Sequence, residues 1–100
     1  MPSSRATHAA SVRRDGATLV FAGGLLRDAV AGLWPQALVQ VVGTTRFDLQ
    51  GVDRVDSAGL ALLAELAARA GGSVAVDGAP EGLAELRAAY RLDPALGFAA

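Results

Sequence analysis

The residues of this chain best suited to chemistry stand together at Asp56-Ser57-Ala58-Gly59-Leu60, just ahead of a Leu/Ala-rich run. A short side-chain oxygen can accept from the free N–H groups of a first helical turn, so Asp56 and Ser57 are both good N-caps. Gly59 removes a side chain that would keep another molecule away. The pattern predicts a hydroxyl displayed at a helix mouth, suited to docking or to phosphorylation of Ser57. Capping alone is the ordinary use of such a serine and contributes about 1 kcal/mol. Asp56 is expected to favour the helix dipole and to support Ser57, either by orienting it or by meeting a basic group on a partner.

Catalysis lacks its parts. The only histidine, His8, lies in a stretch without periodicity, so no nucleophile–His–Asp set can be assembled, and no His/Cys/Asp/Glu cluster has metal-ligand spacing. Gly23-Gly24 and Gly71-Gly72 lack the Lys and Ser/Thr of a phosphate loop and the spacing of a dinucleotide fingerprint, and they read as turns. The expectation is a chain that is not an enzyme, with no metal and no cofactor.

One hundred residues give a single core. With 52% hydrophobic and 19% charged residues the chain can fill that core, and its surplus of Leu and Ala leaves apolar surface for a partner. A net charge of −1 with scattered arginines argues against nucleic acid, which demands a basic footprint. The absence of cysteine rules out disulfides and thiolate metal sites and agrees with a reducing compartment. Met1 to Arg14 lacks the apolar core of a secretory signal, and no later run approaches the ~18 apolar residues of a membrane span. Any membrane role is then expected to be peripheral.

Several elements must position the Asp56-Ser57 site. Residues 1–10 show no periodicity and are expected to be a disordered leader, with a single domain over 11–100. Ser11 to Arg14 should turn at Asp15-Gly16 into the strand Thr18 to Phe21, which Gly23-Gly24 ends. A helix from Arg27 has Leu26, Val30, Leu33 and Ala37 on one face, with a break or two short turns expected at Pro35. Trp34 beside it reads equally as a core residue or a binding anchor. A strand at Thr45 to Leu49 and a loop lead to the helix from Ser57 to about Ala70. Leu60, Leu63, Leu66, Ala67 and Ala70 form the stripe of that helix facing the sheet. Ser57, Ala61 and Ala68 lie opposite on a flat face, and Leu62 falls near the polar side as a rim contact. Gly71-Gly72 should stop the helix, Ser73 to Val76 form a strand, and Asp77-Gly78 turn into a helix opened by Pro80, with Leu83, Leu86 and Tyr90 inward. This order implies an α/β sheet with helices packed on it.

Asp-Ser-x-Gly-Leu at a strand–loop–helix junction resembles the signature of STAS domains, the family of anti-sigma factor antagonists and of the cytoplasmic tails of sulfate transporters. Thr18 to Leu25, Gly32-Leu33-Trp34, Asp48 to Leu63 and Ala89-Tyr90-Arg91-Leu92 are similar to the STAS subunits of phospholipid-transport ABC complexes, with Gly24 departing from their usual Glu. The resemblance implies a mixed β-sheet with helices mainly on one face. It implies a non-catalytic regulatory subunit that binds an ABC ATPase, in a complex with a permease and an MCE substrate-binding protein. Such a subunit is cytoplasmic and reaches the inner membrane through the complex. The resemblance places partner contact at the matching serine, Ser57, and the helix start and flat helix face around it add Asp56, Gly59, Ala61, Leu62 and Ala68 to the expected partner-binding residues. The alternative is an anti-sigma factor antagonist switched by phosphorylation of Ser57.

Overall fold

The computed structural model describes residues 10–72 and 74–90. Strands β1 (Ser11–Asp15) and β2 (Thr18–Leu25) form the opening hairpin, antiparallel about a two-residue loop. Gly16 supplies the positive φ of 63° that such a loop demands. Helix α1 (Arg27–Leu38), strand β3 (Arg46–Val55), helix α2 (Ser57–Ala70), strand β4 (Ala75–Asp77) and helix α3 (Leu83–Tyr90) follow. The sheet order is β1-β2-β3-β4, with β2, β3 and β4 parallel. Two parallel crossovers that advance in one direction with the usual right hand put α1 and α2 on the same face. The result is the α/β sheet with helices on one face that the sequence implies.

Beneath the helices the core gathers Leu19, Phe21 and Leu25 of β2, Phe47, Leu49, Val52 and Val55 of β3, and Leu60, Leu63 and Leu66 of α2. Phe21 and Phe47 meet edge to face with centroids 5.6 Å apart. At the far end of the strands, the Arg14 guanidinium donates to the carbonyls of Gln40 (2.9 Å) and Val42 (2.7 Å), tying the α1–β3 loop to the hairpin.

Several expectations need correction. β2 does not end at Gly23-Gly24. It continues to Leu25, with Gly23 at φ 82°, and pairs with β3 along its whole length. β3 runs well beyond Leu49, and the residues expected as a loop are strand as far as Val55. Its register with β2 slips twice, between Val20 and Ala22 and between Gly23 and Gly24, each time with one extra residue in β3. Such bulges reset the alternation, so the inward residues Leu49, Val52 and Val55 recur every third position and hide the strand from a period-two reading.

Pro35 does not break α1, which is continuous across it. The missing N–H falls on the exposed side, opposite buried Leu33 and Ala37, so water can serve the carbonyl left without a partner. The last helix starts at Leu83 and not at Pro80. Pro80 is buried and its carbonyl accepts from Leu83 N–H at 3.1 Å, forming a turn before the helix. Tyr90 is 50% exposed, so the inward face of α3 rests on Leu83 and Leu86 without it. Residues 1–9 of the leader, Ser73 and residues 91–92 of the Ala-Tyr-Arg-Leu motif fall outside the described residues, while Ala10 packs against the core.

Because Pro35 sits in an exposed helix interior, Pro35→Ala is expected to raise stability by roughly 1–3 kcal/mol in urea denaturation. Unchanged or lower stability would show that the proline's constraint on the unfolded chain outweighs its missing bond.

Candidate functional site

The bulges bring β3 to its end level with β2: Val55 pairs with Leu25. Asp56 therefore emerges beside Leu26, in extended backbone between β3 and α2. Its Oδ1 accepts from Gly59 N–H at 2.9 Å, the N-cap bond of α2, and its Oδ2 accepts from Arg27 N–H at 2.8 Å, in the first turn of α1. One carboxylate thus serves two helix starts. Desolvation is the largest influence on its pKa and raises it. Hydrogen bonds from the Gly59, Arg27 and Ala58 amides and the Arg27 charge together outweigh that and hold the group below its ordinary value of 3.8.

Ser57 is the first residue of α2 and not its cap. Its side chain is exposed, and among the described residues its hydroxyl has no protein partner. Both Asp56 oxygens are engaged with backbone amides, so the expected orienting role toward Ser57 is replaced by a double capping role.

Gly59 serves a different purpose from the one expected. A Cβ there would overlap the Leu25 carbonyl oxygen, so this glycine admits the chain's own β2 end and is buried. Leu62, expected as a rim contact, is 3% exposed and belongs to the core. It lies two turns before Arg69, whose guanidinium covers the Trp34 ring of α1 at 5.4 Å, so this flank of α2 faces α1 and is covered by it. Two helices side by side bury a wider arc than the sheet alone. Ala61 and Ala68 are exposed as expected and form a flat strip with Ser57. Glu65 pairs with Arg69 at 3.4 Å along its border.

Beside Ser57 an open hollow of about 410 Å³ is lined by Arg54, Asp56, Glu81, Glu85 and Leu86 among others. Glu81 arrives there because the chain after β4 pairs again with β3: Val55 N–H donates to the Glu81 carbonyl at 3.0 Å. A larger hollow of about 570 Å³ between β4 and α3 adjoins it through Glu81, Gly82 and Glu85 and lies away from Ser57. Arg54, Glu81 and Glu85 escaped the sequence reading. The available signal was topological, since the C-terminal ends of parallel strands share one edge of a sheet. Among the described residues no group of His, Cys, Asp or Glu is placed to hold a metal ion.

The family model described as Mlab, STAS domain, matches residues 8–97. The chain belongs to the MlaB-type STAS family. Over 80 residues it is 38% identical to the intermembrane phospholipid transport system binding protein MlaB of Escherichia coli (strain K12), covering 77% of this chain and 82% of that protein. The protein of the same name from Shigella flexneri matches to the same extent. The STAS signature read at Asp56-Ser57-x-Gly59-Leu60 thus falls within a family match that spans nearly the whole chain. Among the described residues no helix is long and apolar enough to cross a membrane.

Asp56→Ala is expected to destabilise the fold by about 1–3 kcal/mol, since it leaves two helix amides uncapped. The folded-state pKa is depressed, so the contribution is fully present above the unfolded value of 3.8 and is lost as pH falls through the lower folded value. Urea denaturation at stepped pH should show a constant gap between wild type and variant above about pH 5, narrowing in stronger acid. A gap independent of pH would rule out the charged cap as its source.

Proposed function

We propose that the chain is a non-catalytic STAS subunit that binds the cytoplasmic ATPase of a phospholipid-transport ABC complex and supports its assembly and activity. The observation that carries this is the 38% identity, across 82% of their length, to proteins named as binding proteins of an intermembrane phospholipid transport system. The docking surface is the exposed strip of Ser57, Ala61 and Ala68, whose short side chains let a partner helix approach closely. Asp56 supports this strip from beneath. Gly59 and Leu62 support it from the interior and do not touch the partner.

The mechanism is allosteric. A subunit that binds one state of the ATPase better than another shifts its equilibrium, and a coupling of about 1–3 kcal/mol changes output by 5-fold or more. The permease and MCE protein complete the complex, which holds this subunit at the inner membrane and maintains outer-membrane lipid asymmetry.

Phosphorylation of Ser57, as in an anti-sigma factor antagonist, is the second reading, favoured by an exposed hydroxyl that has no partner among the described residues. The surroundings favour it less. The adjoining hollow has three carboxylates, Asp56, Glu81 and Glu85, against one guanidinium, Arg54, so a phosphate of about −2 would meet net repulsion.

Ala61→Arg is expected to keep the fold and lose copurification with the ATPase, because it adds bulk and charge to a flat contact without emptying the core. Wild-type copurification would show that the surface lies elsewhere. Ser57→Thr should retain function, Ser57→Ala should weaken it modestly, and Ser57→Asp should impair docking by adding charge at a desolvated contact. Stoichiometric phosphoserine in cells, with no lipid-asymmetry phenotype for any of the three, would decide for the partner switch. The purified chain is expected to hydrolyse neither ATP nor GTP, and turnover persisting after removal of contaminating ATPases would refute the non-catalytic assignment.

A further inference from the structure

Helix α1 begins without a cap of its own. Its N-cap residue, Leu26, is extended (φ −116°, ψ 164°) and has no side-chain oxygen to offer. The Arg27 amide is served from 29 positions away by Asp56 Oδ2. Around that bond the chain is closely knit: Asp56 N–H donates to the Leu25 carbonyl at 3.3 Å, and Gly59 packs against the same carbonyl with no room for a side chain. Both helices therefore start from one point. They meet again where Arg69 of α2 covers Trp34 of α1.

We infer that Asp56 is a positioning residue for partner binding, whose carboxylate, by capping α1 and α2 together, holds Trp34 and the Ala61/Ala68 strip as one preformed docking surface. This rests on the ATPase reading above and extends its surface onto α1. A carboxylate suits the task because it brings two acceptor oxygens and no donor. Asparagine keeps one acceptor and turns an NH₂ against the second amide. Serine reaches one amide only. Either change frees one helix start to move, and a surface that must be ordered on binding loses affinity to that ordering.

Trp34 is the only tryptophan, so its emission reports on the α1–α2 contact in the free chain. The test uses the full chain with Asp56→Asn and Asp56→Ser, and with Val12→Ala as a core control of similar thermal destabilisation on β1. Emission is read without partner, and affinity is read against the ATPase of the same complex. Both Asp56 variants should shift Trp34 emission to the red and bind at least about fivefold more weakly, while the control leaves both unchanged. Asn has nearly the volume of Asp and keeps one cap, so this variant retains the fold even where Ser does not. Unshifted emission, or an affinity loss no greater than that of the control, overturns the positioning role. Wild-type affinity in Ala61→Arg overturns the docking surface itself, and the emission result then still reports whether Asp56 sets the helix contact.

Discussion

The carboxylate of Asp56 is the point on which the geometry of this domain turns. Each helix start carries unsatisfied N–H groups and about half a positive charge, and α1, although Asp28 lies in its first turn, has no side-chain cap from its own N-cap residue, Leu26. Placing one anion between two such starts satisfies both, and the favourable bonds outweigh the loss of solvation that its setting imposes. Because Asp56 fills the capping role, the neighbouring Ser57 hydroxyl is left without a partner among the described residues. A polar group left exposed at a helix start is available to something outside the chain.

The clamp works only because the backbone on either side arrives at the right level. Two extra residues in β3 bring Val55 opposite Leu25, with its side chain inward and Asp56 next in line. A one-residue slip would send Val55 to solvent and turn Asp56 away from Arg27, since each step along a strand reverses the face. Gly59 then allows the first turn of α2 to lie against the Leu25 carbonyl, an approach that any Cβ would prevent. Small residues here serve internal packing, and the glycine of the family signature is a requirement of the fold before it is one of recognition.

The same arrangement divides the surface of α2 into three. One flank is covered by α1, with Leu62 beneath and Arg69 over Trp34. The outward strip of Ser57, Ala61 and Ala68 is flat and exposed. The remaining flank opens on the hollow with Glu81 and Glu85. On the proposed docking surface, the strip is bordered by an aromatic and cationic ridge on one side and an acidic hollow on the other. For the partner proposed above, such a pattern would set orientation through charge and leave close approach to the alanines.

From sequence alone the parts that depend on local periodicity or local turn chemistry could be read. The Asp15-Gly16 hairpin, the boundaries and inward stripe of α2, its stop at Gly71-Gly72 and the α/β class each rest on residues within a few positions of one another. The signature at Asp56-Ser57 carried the family for the same reason. What the tertiary structure alone decided involves neighbours distant in the chain. β3 was lost beyond Leu49 because bulges are defined by a partner strand, and Pro35 stayed within α1 because packing of Leu33 and Ala37 holds the helix through a missing bond. Leu62 became core because α1 covers a flank that a single-helix wheel leaves in water. The second cap of Asp56 joins residues 29 positions apart, so no spacing rule could have announced it. A helix wheel or a strand alternation sees one element against solvent, whereas burial and capping here are settled between elements.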